Sequence, residues 1–162
     1  QNSPLVSLCK SLCSESVSLS PKVDHIEPTQ DPPVNNDHKP TSPQDRDRHE
    51  QVRKLRVLLQ QDRTETAQRV IKSLILSKSL FSSPSDIFSL FSISSPSLKP
   101  TFSNLLLSVC ADSKLHNEAT ELYMLIRKDG MFPSLSSFNL LLESLVSSCQ
   151  YRKTLDLFSE VV

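Results

Sequence analysis

Two asparagines, Asn104 and Asn139, stand 35 residues apart, and each opens the same run: Asn104-Leu105-Leu106-Leu107 and Asn139-Leu140-Leu141-Leu142. A carboxamide carries both a hydrogen-bond donor and an acceptor. Equivalent amides on successive helices could therefore read the polar edge of a ligand that itself repeats. The plainer role for such an Asn is to cap a helix or to bond a neighbouring unit. Catalysis has no comparable constellation. His116 has no carboxylate or nucleophile set beside it by pattern, and His25, His38 and His49 lie in or next to a proline-rich stretch. The single glycine, Gly130, excludes a glycine-rich phosphate loop. Cys9 and Cys13 have no second cysteine pair and no nearby histidine, so a metal would lack ligands. Cys110 and Cys149 fall in helical patterns and read as small buried residues. The expectation is a protein that is not an enzyme and that needs no cofactor and no metal.

The elements that must position these amides recur with them. Glu121-Leu122-Tyr123 returns as Asp156-Leu157-Phe158, and Ile126 returns as Val161, at the same offset. A fixed period of this length marks a stack of helical hairpins rather than one globular core. One glycine and no tryptophan also argue against hairpin-rich β architecture. The expected fold is all-α, an α-solenoid of 35-residue helix-turn-helix hairpins that follows a disordered N-terminal segment.

Residues 1–45 hold seven of the eleven prolines and too few apolar residues to offset chain entropy. With many serines and one acidic residue, Glu15, in its first 20 positions, this leader partly fits an organelle-targeting segment, although no arginine precedes Arg46. Residues 46–78 read as a degenerate hairpin that could cap the stack. Val52, Leu55, Leu58 and Leu59 form its first stripe, and Ala67, Val70, Ile71, Leu74 and Ile75 its second. Asp62, with Glu65 three residues on, reads as the N-cap between them. Residues 79–99 hold a short helix that Ser83-Pro84 starts and that Ile87, Phe88 and Phe91 anchor, followed by a Ser/Pro linker.

The clear repeats are 100–134 and 135–162. In the first, Leu105, Leu106 and Val109 face inward, Asp112-Ser113-Lys114 turns the chain, and Ala119, Leu122, Tyr123 and Ile126 share one face. Gly130 closes that helix as a left-handed residue and Pro133 blocks its continuation. In the second, Phe138, Leu141, Leu142 and Leu145 form the first inner face, and Leu155, Phe158 and Val162 the second. The chain begins without Met and stops inside a helical pattern, which reads as a piece of a longer protein. Net charge is zero, so total charge predicts neither a polyanion nor a membrane partner, and no apolar run reaches the roughly 18 residues that a bilayer span needs.

Phe102-Ser103-Asn104-Leu105-Leu106 and Phe138-Asn139-Leu140-Leu141, then Ala119-x-x-Leu122-Tyr123 and Gly130-x-x-Pro133, resemble the pentatricopeptide repeat over residues 100–162. The tetratricopeptide repeat fits less well, since its Trp, Leu-Gly and Tyr pattern is missing. The resemblance implies a groove lined by first helices that reads one unpaired base per hairpin. It implies that the fifth and last residues of a repeat choose the base. Asn104 with Ser134 would then favour a pyrimidine, cytosine first, while the partner of Asn139 lies beyond Val162. The family keeps an aliphatic residue against the base at the second place, where this chain has Thr101 and Ser136. Residues 46–78 carry nine lysines and arginines against four acidic residues, and Arg53, Lys54 and Arg56 are the candidates for phosphate contact. A solvated helix face is their plainer reading.

The resemblance further implies a plant protein of the mitochondrion, alternatively the plastid. It would bind single-stranded organelle RNA, with no membrane partner and with other RNA-processing factors as further partners. The RNA would be acted on at processing, editing, stability or translation. The competing readings are an α-solenoid scaffold that grips a peptide, and an organelle ribosome-associated component.

Overall fold

A computed structural model describes residues 42–161. The leader expected over 1–45 lies outside the described residues up to position 41. Its last three residues do not belong to it, because the first helix, α1, runs Pro43–Gln60. Ser42 caps that helix by accepting a hydrogen bond from the Asp45 amide, and Pro43 sits where a missing N–H costs nothing. Six more α-helices follow: α2 (Thr64–Ser77), α3 (Pro84–Ser94), α4 (Lys99–Asp112), α5 (His116–Lys128), α6 (Leu135–Ser147) and α7 (Tyr151–Val161), with a 3-10 turn at Pro96–Leu98 before α4. No strand occurs among the described residues, and no helix there is long and apolar enough to cross a membrane. The chain folds as an all-α solenoid of stacked helices.

The stack has two layers. Helices α2, α4 and α6 pack side by side, and their first residues fall 35 and then 36 positions apart. Helices α1, α3 and α5 form the second layer, to which Lys153 of α7 is tied by a 3.0 Å bond from its Nζ to Asn117 Oδ1 of α5. The segment expected as a hairpin over 46–78 thus runs from the second layer to the first. That is the reverse of 100–134, which runs from α4 in the first layer to α5 in the second.

Burial follows most of the apolar stripes. Val52, Leu55, Leu58 and Leu59 of α1 are buried, as are Ala67, Ile71, Leu74 and Ile75 of α2, with Val70 half-buried. Ile87, Phe88 and Phe91 anchor α3, whose start is a full capping box between Ser83 and Asp86. Phe91 stacks on Phe102 of α4 with ring centroids 3.8 Å apart. Ala119, Leu122, Tyr123 and Ile126 of α5 are all buried. Each such Leu or Ile contributes about 1.5–3 kcal/mol relative to exposure.

Four local expectations need correction. Asp62 does not cap α2: it adopts φ 56° and closes α1, with the Arg63 amide donating to the Leu58 carbonyl at 2.9 Å. The cap residue of α2 is Arg63, which makes no side-chain cap bond. Leu105 is half-buried and borders an open cleft, while Phe102 and Leu107 are buried beside Leu106 and Val109. Leu142 is likewise half-buried beside Phe138, Leu141 and Leu145. In α7 the buried residue is Leu157, whereas Leu155 is 68% and Phe158 52% exposed. Leu157 holds the place of Leu122, and Phe158 that of Tyr123. The Tyr123 ring is covered by Phe138 of the following hairpin, at 5.6 Å between centroids. No hairpin follows α7 to cover Phe158 among the described residues. Val162 lies outside them.

Candidate functional site

Asn104 lies on α4 at the border of the first layer, half-buried, with Thr101, Leu105 and Ser108 on the same face of the helix. These four residues, Thr64 at the start of α2 and Ser137 of α6 line an open cleft. Four hydrogen bonds settle its floor. The Ser134 amide donates to Asn104 Oδ1 at 2.6 Å, and the Ser137 amide donates to Ser134 Oγ at 3.2 Å, which caps α6. Ser137 Oγ donates to the Asn104 carbonyl at 3.2 Å, and Ser108 Oγ donates to Ser137 Oγ at 3.1 Å. The start of α6 is therefore hooked onto α4 through one carboxamide oxygen and one hydroxyl.

This arrangement divides the amide of Asn104. Its oxygen is committed to the Ser134 N–H, and its Nδ2 makes no protein hydrogen bond among the described residues. What remains for a ligand is a pair of donors. Asn104 and Ser134, 30 residues apart in the chain, are thus in direct contact. Asn139 sits at the corresponding place in α6, exposed and without a side-chain hydrogen bond among the described residues. Thr101 borders the cleft, and Thr101 and Ser136 are both exposed.

Arg53, Lys54 and Arg56 are not brought to this cleft. All three lie on α1, which packs on α2 and α3. Arg53 pairs with Glu50, and Arg53 and Arg56 border a separate hollow with His49, Val52, Ser94 and Ser95. The residue that pattern reading placed in the core and the structure places beside Asn104 is Leu105, an apolar edge next to the free donors. Ser108 and Ser137 also went unread. The signal for Leu105 and Ser108 was the face shared by Thr101, Asn104, Leu105 and Ser108 at helical spacing. Ser137 joins through packing that no local pattern reports.

The remaining polar groups tie hairpins together. Ser144 Oγ donates to the Ala111 carbonyl at 3.0 Å, so its one proton is taken and His116 Nδ1, 2.8 Å away, must carry the hydrogen between them. Lys99 pairs with Asp129 at 2.6 Å across the first clear repeat and lies 5.7 Å over the Phe88 ring. Burial pushes the Cys110 thiol up to about 12, with the Glu118 carboxylate adding to the effect; Cys149, expected to be buried in a helix, is instead exposed in the left-handed turn that follows α6. Cys9 and Cys13 lie outside the described residues.

No protein-family model matches the chain, and no solved structure does. Over 156 residues, 95% of its length, the chain is 44% identical to a protein of Arabidopsis thaliana named as a mitochondrial pentatricopeptide repeat-containing protein. It spans 18% of the length of that relative.

Proposed function

Because this chain belongs to the pentatricopeptide repeat family, we propose that it binds single-stranded RNA in mitochondria, one nucleotide to each hairpin. The name of the Arabidopsis relative, which places that protein in the mitochondrion, supports the compartment. Binding rather than transformation is the activity, and its consequence falls on the processing, editing, stability or translation of an organelle transcript. Other RNA-processing factors would assemble on the same transcript.

One observation carries the reading. The pair that the repeat pattern assigns to base choice, Asn104 and Ser134, meets at an open cleft with the Asn104 donors left over. A donor-only amide selects a base edge that presents acceptors, and cytosine offers O2 and N3 side by side. Leu105 gives the base an apolar edge beside those donors, in place of the aliphatic residue that Thr101 replaces. Asn139 holds the same place one hairpin on, exposed and with its amide unpaired among the described residues. The phosphate role expected of Arg53, Lys54 and Arg56 is weaker, since they stand on α1 away from this cleft.

Crosslinking the full-length protein to RNA in mitochondria and sequencing the bound fragments tests the reading. Enrichment of a short single-stranded motif containing a pyrimidine supports it. Recovery of no enriched RNA, with a peptide or protein captured instead, removes it in favour of a scaffold.

A further inference from the structure

We propose that the channel between α1 and α3 is a docking site for a partner protein. It takes a short peptide segment that carries one large apolar side chain and, about three residues away, a carboxylate. The channel shares no residue with the Asn104 cleft, so the proposal stands apart from the RNA-binding reading. Helices α1 and α3 pack side by side in the second layer. Two hollows open between them, of about 510 and 210 Å³, and His49 borders both. Asp45, Arg48 and His49 line the larger from α1, and His49, Arg53 and Arg56 the smaller. The two are thus centred roughly 10 Å apart along α1.

The larger hollow is the apolar half. Buried Phe81 and half-buried Leu90 border it. Beside them Ile93 is 82% exposed, more than any other large apolar side chain among the described residues. Helix α3 already has α1 on one side and α5 on the other. A further hairpin added to the row would cover Phe158 of α7, but it would leave Ile93 bare. Burying Ile93 takes a segment laid along the channel from outside the row.

Charge decides what lies at the other end. Most charged groups along the channel are already engaged. The Asp45 carboxylate accepts from the Ser42 hydroxyl, and that of Asp86 from the Ser83 amide. Arg48 donates to the Leu80 carbonyl, and Arg53 pairs with Glu50. Arg56 is half-buried in the smaller hollow with no ion pair and no hydrogen bond among the described residues. Helix α3 ends at this hollow, yet Arg56 donates to none of its carbonyls. Ser95 lines the same hollow, 5% exposed, and its hydroxyl has no partner among the described residues. One unpaired guanidinium and one buried, unpaired hydroxyl match the single charge and several lone pairs of a carboxylate.

The test selects displayed peptides of random sequence with the full chain and its variants, then measures the affinity of a selected peptide. The native chain should enrich an Asp or Glu about three residues from a large apolar residue. Ile93→Ser should weaken the selected peptide by roughly tenfold while the melting temperature holds, since that side chain packs on little of its own chain. Arg56→Ala should weaken it by roughly tenfold and abolish the acidic preference while keeping the apolar one. Arg56→Glu should select Lys or Arg in the place of the acid, a reversal that a folding defect would not produce. Peptides that bind the native chain and all three variants equally well sit elsewhere, at the bare end of α7 for example, and overturn the proposal. So does a native chain that enriches no peptide. Single-stranded RNA that displaces the peptide, and whose own affinity falls in Arg56→Ala, would give the smaller hollow to a phosphate and overturn it as well.

Discussion

At Asn104 one side chain serves two partners through two different atoms, and a single substitution separates them. Asn104→Asp keeps an oxygen for the Ser134 N–H and removes both Nδ2 donors. A carboxylate there is also favoured by the start of α6. The expected outcome is a melting temperature equal to or above that of the native chain, with RNA affinity reduced by about 1–3 kcal/mol. A variant that melts lower and still binds normally would make Asn104 a cap and nothing more. Cys110 gives a pH dependence at the same scale. Its thiol keeps its proton in the folded chain up to about 12, whereas an unfolded thiol loses it near 9.0. Stability is therefore undiminished by this group below pH 9, and falls as pH climbs from there toward 12. Melting curves across that range should show the fall, and Cys110→Ala should flatten it. Burial pushes the Tyr123 hydroxyl above 10.0 as well, so part of the slope beyond that pH remains in the variant. Asn104 and Asn139 were legible because they recur with the apolar run around them. The bond from Asn104 to a backbone N–H 30 residues away was not, since a main-chain donor leaves no mark in the residue pattern.

Helix ends are where elements owe most to backbone geometry. Lys114 and Cys149, 35 residues apart, both take φ near 60° after their helices, and the next amides close back onto the Cys110 and Leu145 carbonyls at 3.1 and 2.9 Å. Gly130 does the same at φ 76° without the penalty that a side chain brings. Lys114→Gly should therefore stabilise the chain by about 0.5–1 kcal/mol, after allowing for the looser unfolded chain. A thermal melt that shifts downward would count against a left-handed closure at that position. Stripes at helical spacing made α1, α2, α3 and α5 legible, because each has one buried face whatever its neighbour. Helix α7 was misread because two faces offered apolar residues. Which of them is covered depends on the adjoining hairpin, and only the Leu157 face has one. Asp62 was misread because an aspartate suits both a helix start and a left-handed stop, and local sequence favours neither.

The molecule as a whole is held by contacts between neighbouring helices, so its stability varies along the stack. Helix α5 buries four residues, while α7 buries Leu157 alone among its described positions. Amide hydrogen exchange should be fastest in α7 and slowest in α4 and α5. Uniform protection from α1 to α7 would argue for one cooperative core instead of a stack. The 35-residue period made the architecture legible, but not the layer to which each early helix belongs. That assignment needed the packing of α2 on α4 and of α1 on α3.

The joints of this stack differ in their fastenings. Ser137 and Ser144 bolt α6 to the backbone of α4 at both ends. No side-chain hydrogen bond joins α2 to α4 among the described residues. Packing alone holds that joint, so a lengthwise load on the stack is expected to part α2 from α4 before it parts α4 from α6.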